Sequence, residues 1–323
     1  FQKKKGLYVN HSNLCSEITL ATNEERTAVC CLSSVNLEYF DEWSKIPAFI
    51  PDLVRMLDNV LQFFIDNAPS QMERAKYSAM RERSIGLGAM GFHAYLQRNS
   101  IPFESIGASA VNFTMFKHIK EDALQETRRL AVERGACPDD DSCEVRNAHL
   151  LAIAPNASSS IICGNTSPSI EPFRANAYTQ KTKSGSFLQK NKYLEALLEK
   201  KEANTEAVWR DIVSNKGSVQ HLEILTPEEK EVFKTAVEIN QAWVVEHAAQ
   251  RQEFICQSQS VNLFFPPDVS KGDLHNVHML AWAKNLKTLY YLRSEAISRA
   301  DNVSNQVKRE IIFEQEDCLA CEG

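Results

Sequence analysis

Asn13-Leu14-Cys15-Ser16-Glu17-Ile18 sets an amide, a thiol and a carboxyl group at alternate positions. In an extended strand or loop, residues i, i+2 and i+4 point the same way. One face would then carry a hydrogen-bonding amide, a redox-capable sulfur and a proton acceptor, with apolar Leu14 and Ile18 alongside. A free Cys is commonly just a small buried hydrophobe. Two readings therefore stand: a redox thiol with its base, or a core Cys between polar neighbours.

Other stretches add chemistry. Cys30-Cys31 follows the first motif after a short loop, and a thiol there could exchange electrons with a substrate or another thiol. Pro155-Asn156-Ala157-Ser158-Ser159-Ser160 follows a short apolar run. Proline would end a strand, the Asn/Ser cluster would cap a following helix, and backbone N–H groups with hydroxyls beside them suit phosphate. The plain alternative is a serine-rich cap. Gly164-Asn165-Thr166-Ser167-Pro168 and Ile170-Glu171-Pro172 form a second polar loop nearby.

Tyr290-Tyr291 lies in an apolar run, Leu286 to Leu292. It reads either as aromatic strand packing or as two oxidisable phenols that relay an electron and a proton. Cys318-x-x-Cys321 ends the chain in a polar tail without a matched second pair. That pattern suits thiol–disulfide exchange better than zinc, and no metal site is expected. Gly86-Leu87-Gly88-Ala89-Met90-Gly91 matches G-x-G-x-x-G, but a charged, helix-like stretch precedes it rather than a buried strand. Close backbone packing explains those glycines better than a dinucleotide.

Around these residues stand elements able to position them. Pro47–Asn67 and Ser105–Arg134 read as long helices, the second stopped by Gly135 and Pro138. Gln189–Lys201, Thr226–Arg251 and His275–Asn285 read as further helices, and Arg174–Gly185 as polar and irregular. Leu14–Leu20, Thr27–Leu37, Ser84–Phe92, His149–Ala154, Ser260–Phe265 and Leu286–Leu292 read as extended segments. Strands separated by helices predict parallel pairing and an α/β class.

The chain has 323 residues, 43% hydrophobic and 24% charged, with net charge −6. This is an ordinary globular composition. The acidic balance argues against a nucleic-acid binder. No apolar run approaches the roughly 20 residues needed to span a bilayer, and no apolar region follows Lys3-Lys4-Lys5 as in a secretory signal. Nine unevenly placed cysteines suggest reduced thiols and a cytoplasmic setting.

Five of these motifs, in this order, carry a resemblance. They are Asn13 to Ile18, Ala28 to Leu37, Pro155 to Ser160 with Ile170-Glu171-Pro172, Lys287 to Tyr291, and the cysteine tail. The chain resembles roughly the C-terminal half of the catalytic large subunit of class I ribonucleotide reductase, an oxidoreductase making deoxyribonucleotides for DNA synthesis. The resemblance implies that Cys15 becomes a thiyl radical that abstracts the 3′-hydrogen of a ribonucleoside diphosphate. Glu17 would take the 3′-hydroxyl proton and Asn13 would hold the substrate. Cys30 would be one of two reducing thiols. Pro155, Asn156, Ala157, Ser158 and Ser159 would hold the diphosphate. Tyr290 and Tyr291 would pass the radical equivalent from a small subunit carrying a dimetal or radical cofactor. Cys318 and Cys321 would reduce the active-site disulfide and be reduced by thioredoxin or glutaredoxin. No cofactor would be bound by this chain itself.

The implied fold is the second half of a ten-stranded α/β barrel. Residues 1–295 would form five parallel strands with flanking helices and the radical Cys on a central loop; residues 296–323 would be a flexible redox tail. A complementary N-terminal chain would then be required, both to pair the half-barrel's open edges and to supply the second reducing thiol. This chain departs from many relatives in having Ala157 and Ser158 where they carry Glu and Thr, in its short tail spacing, and in the extra thiol of Cys31. Competing readings are a cobalamin-dependent relative, which would not need the tyrosine pair, a non-catalytic assembly or regulatory half-subunit, and a nicotinamide oxidoreductase built on Gly86–Gly91.

Overall fold

The computed structural model describes residues 2–182 and 185–294. Along the chain, β1 (Leu32–Asn36) is followed by α1 (Phe40–Trp43), α2 (Phe49–Asn67) and α3 (Glu73–Glu82). The chain returns as β2 (Gly86–Met90), parallel to β1 in the register Leu32↔Gly86 through Asn36↔Met90. Next, α4 (Phe92–Arg98) and α5 (Ile106–Arg134) lead to segment 149–154, which bridges β2 at Leu87↔Leu151. After α6 (Ala157–Ile162) come the antiparallel hairpin β3 (Ala177–Thr182) and β4 (Gly185–Lys190), then α7 (Lys192–Lys200), α8 (Glu206–Ser214), α9 (Pro227–Val232) and α10 (Gln241–Gln252). Segment 257–264 bridges its predecessor at Ile153↔Gln259 and ends in β5 (Leu263–Phe264). Finally α11 (Lys271–Ala283) carries the chain to β6 (Leu292–Arg293), parallel to β5 at Leu263↔Leu292.

Among the described residues, five parallel segments thus lie side by side in chain order. Parallel neighbours cannot be joined by a tight turn and need long crossovers, which is why helices separate them. The expected half-barrel of α/β class is what forms.

Helix α2 forms because Ile50, Val54, Leu57, Leu61 and Ile65 repeat at helical spacing and are buried together. Helix α5 starts where the Ser105 side chain accepts from Ala108 N (3.0 Å) and stops at Gly135, whose φ of +88° suits glycine. Each Leu, Ile or Phe buried in the resulting core contributes about 1.5–3 kcal/mol. Arg251 of α10 is fully buried, donating to Asn112 of α5 (2.8 Å) and to Gln259 (2.7 Å). It ties α5 and α10 to segment 257–264, and burial pushes its guanidinium down to about 9.

Three local expectations are corrected. Leu14–Leu20 is not extended throughout: a turn covers Leu14 and Cys15, and Ser16 has φ +67°. Arg174–Gly185 is not irregular, since it supplies β3 and the first residue of β4. Thr226–Arg251 is two helices: a capping box at Thr226 and Glu229 opens α9, and Asn240 opens α10 by accepting from Ala242 N. Apolar residues continuous in sequence had masked that second cap. Hairpin strand β3 and α7 to α9 share a separate small core around Leu194, Leu198, Trp209 and Ile212. Cys318, Cys321 and the predicted tail 296–323 lie outside the described residues.

Candidate active site

The Cys15 loop is closed by Asn13. Its backbone O accepts from Ser16 N (3.1 Å), and its side-chain Oδ1 accepts from Ile18 N (3.0 Å). The other end of the same amide, Nδ2, faces the Cys30 sulfur at 3.9 Å. A turn, not strand alternation, therefore gathers the polar groups. Glu17 is buried (2% exposed), Cys15 is half-buried, and Leu14 points outward at 65% exposure. The expectation that apolar neighbours flank Cys15 on both sides is thus corrected on the Leu14 side.

Residues more than two hundred positions away hold this loop. Ser258 N donates to Glu17 O (2.8 Å). The Ser260 hydroxyl lies 2.5 Å from Cys15 O and 3.2 Å from Glu17 Oε2. Thr288 Oγ1 donates to Ser16 O (2.9 Å) and sits 2.5 Å from Ser258 Oγ. Neither serine was singled out from sequence, and Thr288 stood there only as part of the Lys287–Tyr291 motif, with no role of its own. The available signal was the alternation Ser258, Ser260, Asn262, which puts three polar groups on one face of a strand.

That strand also places the tyrosines. Tyr290 N donates to Val261 O (2.8 Å), and Tyr291 N donates to Asn262 Oδ1 (3.0 Å). The Tyr290 hydroxyl then donates to Cys15 Sγ at 3.7 Å. The rings of Tyr290 and Tyr291 lie 4.0 Å apart, inclined by 34°. Tyr291 is 45% exposed, with the Arg293 guanidinium 4.6 Å from its ring centre. A cavity of about 680 Å³ lies nearby against α11, and a second of about 600 Å³ opens beside Tyr291, lined among others by Arg174, Phe264 and Pro266. Buried Asn262 also donates to Glu171 Oε1 (2.5 Å), and burial raises that carboxyl.

Burial raises the Cys15 thiol, the hydrogen bond from Tyr290 opposes this, and the Glu17 charge adds to it. Burial first, then Glu17, pushes Cys30 up to about 12, although Cys30 opens to solvent in this chain. Tyr290 is raised by burial and by its bonds to Tyr291 and Cys15. All three groups therefore keep their hydrogens near neutral pH. An S–H facing an O–H can exchange an electron together with a proton, without first making a thiolate.

The adjacent cysteines part company. Cys31 turns into the core with its thiol on Leu57 O (3.5 Å), while Cys30 faces Asn13. The Pro155–Ser159 loop lies elsewhere on the strand framework, at the end of segment 149–154. Asn156 does not cap α6 with its side chain. In the orientation that satisfies its amide, it donates to Ala154 O (3.0 Å) and Ala89 O (3.3 Å) and accepts from Ser34 Oγ (3.1 Å). That corrects the expected cap: the Asn anchors the loop to β1 and β2. The glycine triplet is structural. A Cβ on Gly86 would come within 2.3 Å of Leu32, and one on Gly88 within 2.5 Å of Ala152 O.

Among the described residues, no cluster of three His, Cys, Asp or Glu side chains could hold a metal ion, and no helix is long and apolar enough to cross a membrane. The framework is that of a parallel α/β barrel with a cysteine-bearing loop against its strands. A family model described as ribonucleotide reductase, barrel domain, matches residues 1–142 and 139–292, and the chain belongs to that family. It is 50% identical to the ribonucleoside-diphosphate reductase large subunit of Invertebrate iridescent virus 3, over all of this chain and 52% of that protein. It is 49% identical to the putative large subunit of Frog virus 3 (isolate Goorha), over 99% of this chain and 57% of that protein. The class Id ribonucleotide reductase alpha subunit of Actinobacillus ureae superposes with a TM-score of 0.86 at 43% identity, covering 91% of this chain and 55% of that one. The chain spans about half the length of these relatives.

Proposed function

We propose that this chain is the catalytic part of a ribonucleoside-diphosphate reductase large subunit. In this reading it acts with a complementary N-terminal large-subunit chain and a radical-generating small subunit, in the cytoplasm. The observation that carries the reading is the line from exposed Tyr291 through stacked Tyr290 to the Cys15 sulfur, 3.7 Å from the Tyr290 hydroxyl. The small subunit's dimetal or radical cofactor supplies the oxidising equivalent. Tyr291 and Tyr290 pass it inward, and Cys15 gives up its hydrogen atom to become a thiyl radical.

The thiyl takes the substrate's 3′-hydrogen, and Glu17 accepts the 3′-hydroxyl proton as general base. The 2′-hydroxyl leaves as water with a thiol proton. Two electrons come from Cys30 and a second thiol on the complementary chain, which join as a disulfide. The second thiol hydrogen goes to C2′, Glu17 returns its proton to the 3′-oxygen, and Cys15 returns a hydrogen atom to C3′, regenerating the thiyl. Asn13, already against Cys30, orients the sugar, and residues 155–159 hold the diphosphate. Cys318 and Cys321 reduce the disulfide and are reduced in turn by thioredoxin or glutaredoxin.

Reconstitution with the complementary chain and a radical subunit tests this. Reduction of a ribonucleoside diphosphate, lost in Cys15→Ser, is the expected result. Full turnover by the Cys15→Ser complex would sink the reading in favour of a non-catalytic half-subunit.

A further inference from the structure

Ser260 is fully buried, on the strand segment between Gln259 and Asn262. Its hydroxyl lies between the backbone oxygen of Cys15 (2.5 Å) and Oε2 of Glu17 (3.2 Å). A serine hydroxyl owns one proton and two lone pairs, so it cannot donate fully to both oxygens at once. With Glu17 ionised, both neighbours are acceptors and share that proton. With Glu17 protonated, the carboxyl becomes a donor. It can then give its proton to the Ser260 oxygen while the Ser260 proton settles on Cys15 O, forming one directed chain.

We propose that Ser260 is a positioning residue that couples the protonation state of Glu17 to the backbone of the Cys15 loop. The inference rests on the reading of Glu17 as general base and Cys15 as radical thiol, and deepens it. Proton uptake by Glu17 during turnover would tighten the grip on the Cys15 carbonyl while the thiyl is in use. The neighbouring contacts give this meaning. Thr288 holds the next carbonyl, Ser16 O, and Ser258 N holds Glu17 O. The loop backbone is thus pinned at three successive oxygens, and only the one held by Ser260 shares its donor with a titratable side chain.

Other titratable groups facing this point are few among the described residues. Cys15 on the same loop and Cys30 on the segment before β1 interact with the Glu17 charge. Tyr290, before β6, reaches it through the Cys15 sulfur. Lys287 is bound to the carbonyls of Cys256 and Gln257. Segment 257–262 contributes no titratable side chain. A change in the titration of Glu17 on altering Ser260 would therefore be read against Cys15, Cys30 and Tyr290.

The test compares Ser260→Ala, which deletes the hydroxyl, with Ser260→Thr, which keeps it, and Ser260→Cys, which keeps the volume with a weak donor. First, the Glu17 carboxyl is titrated by NMR in the folded chain labelled at glutamate Cδ, assigned with Glu17→Gln. A hydrogen bond to the ionised form is stronger than one to the neutral form. Loss of the hydroxyl should therefore raise the Glu17 pKa by about one unit, with Thr restoring it and Cys intermediate. Second, in the reconstituted enzyme, kcat should fall about tenfold in Ser260→Ala, its acid limb moving up in pH while KM for the nucleotide stays put. If Ser260→Ala does not fold, Cys against Thr gives the same contrast.

An unchanged Glu17 titration would overturn the inference, whatever the activity. So would a loss of kcat equal at every pH in both Ala and Thr variants, which marks packing alone. A wild-type complex without turnover would sink the catalytic reading instead, and leave the titration to decide whether Ser260 and Glu17 are coupled.

Discussion

The turn that carries Cys15 and the Pro155–Ser160 stretch, which enters helix α6 at Ala157, are both short and polar, yet they are held in opposite ways. The Cys15 loop is fixed from far along the chain, by Ser260, Thr288 and Tyr290, each more than 240 residues away. The Pro155–Ser160 loop is fixed mostly by itself: Ser160 N donates to Asn156 O (3.0 Å), Ser160 Oγ to Ala157 O (2.9 Å), and Cys163 N to Ser159 O (2.9 Å). Asn156 reaches out to Ser34 and the strand ends, and Thr166 N donates to Ser160 O (3.0 Å). The difference follows the proposed chemistry. Moving a hydrogen atom between sulfur and oxygen tolerates little error in distance, so it needs tertiary restraint. Holding an anion can be done by local backbone and hydroxyls.

Substitutions can break that contrast. The largest effect is expected from Cys15→Ser and from Tyr290→Phe, which keeps the ring stack but removes the hydroxyl facing the sulfur. In the reconstituted enzyme each should lower turnover by roughly a thousandfold or more with the unfolding midpoint little changed. Appreciable turnover by Tyr290→Phe would show that the 3.7 Å contact is incidental. Next, Glu17→Gln should cost about 10²–10⁴ in kcat, the range for a positioned general base. A change confined to KM would instead make Glu17 a binding residue.

A smaller effect concerns Cys30. Because burial and the Glu17 charge disfavour its thiolate, pushing it up to about 12, its alkylation by iodoacetamide should stay slow near neutral pH. The rate should climb about tenfold per pH unit through the mildly alkaline range. Glu17→Gln removes a charge that raises the pKa, so the curve should shift to lower pH. A plateau near pH 8, followed by mass spectrometry at Cys30, would contradict this assignment.

The smallest effect sharpens the other side of the comparison. Ser159→Ala should raise KM for the nucleotide about three- to tenfold with kcat held, since uniform binding is lost rather than transition-state contact. A fall in kcat with KM unchanged would mean that the two loops are coupled more closely than their bonding indicates.

Much of this was legible beforehand. The spacing of Ile50, Val54, Leu57, Leu61 and Ile65 specifies a helix whatever packs on it, and Ser105 and Gly135 bound the next long one by local chemistry. The turn at Leu14 and Cys15 was not legible, because it is made by one Asn whose amide serves Ile18 and Cys30 together. The break between α9 and α10 was hidden by the apolar residues across it, and the hairpin by polar residues that read as loop. Ser260 and Thr288 are ordinary strand residues in sequence; their meaning comes from what lies opposite.

By itself, then, the sequence determined the chemical groups, their order and the alternation of strands and helices, because side-chain type and local periodicity act over a few residues. It also contained the family likeness that points to Cys15, Glu17, Cys30 and the tyrosine pair. Only the tertiary structure decided that Cys30 rather than Cys31 faces Asn13, that Asn156 anchors instead of caps, and that a buried serine sits between the Cys15 carbonyl and the Glu17 carboxylate. Those choices depend on groups from distant strands meeting within hydrogen-bond distance, and parallel pairing across long crossovers is what brings them together.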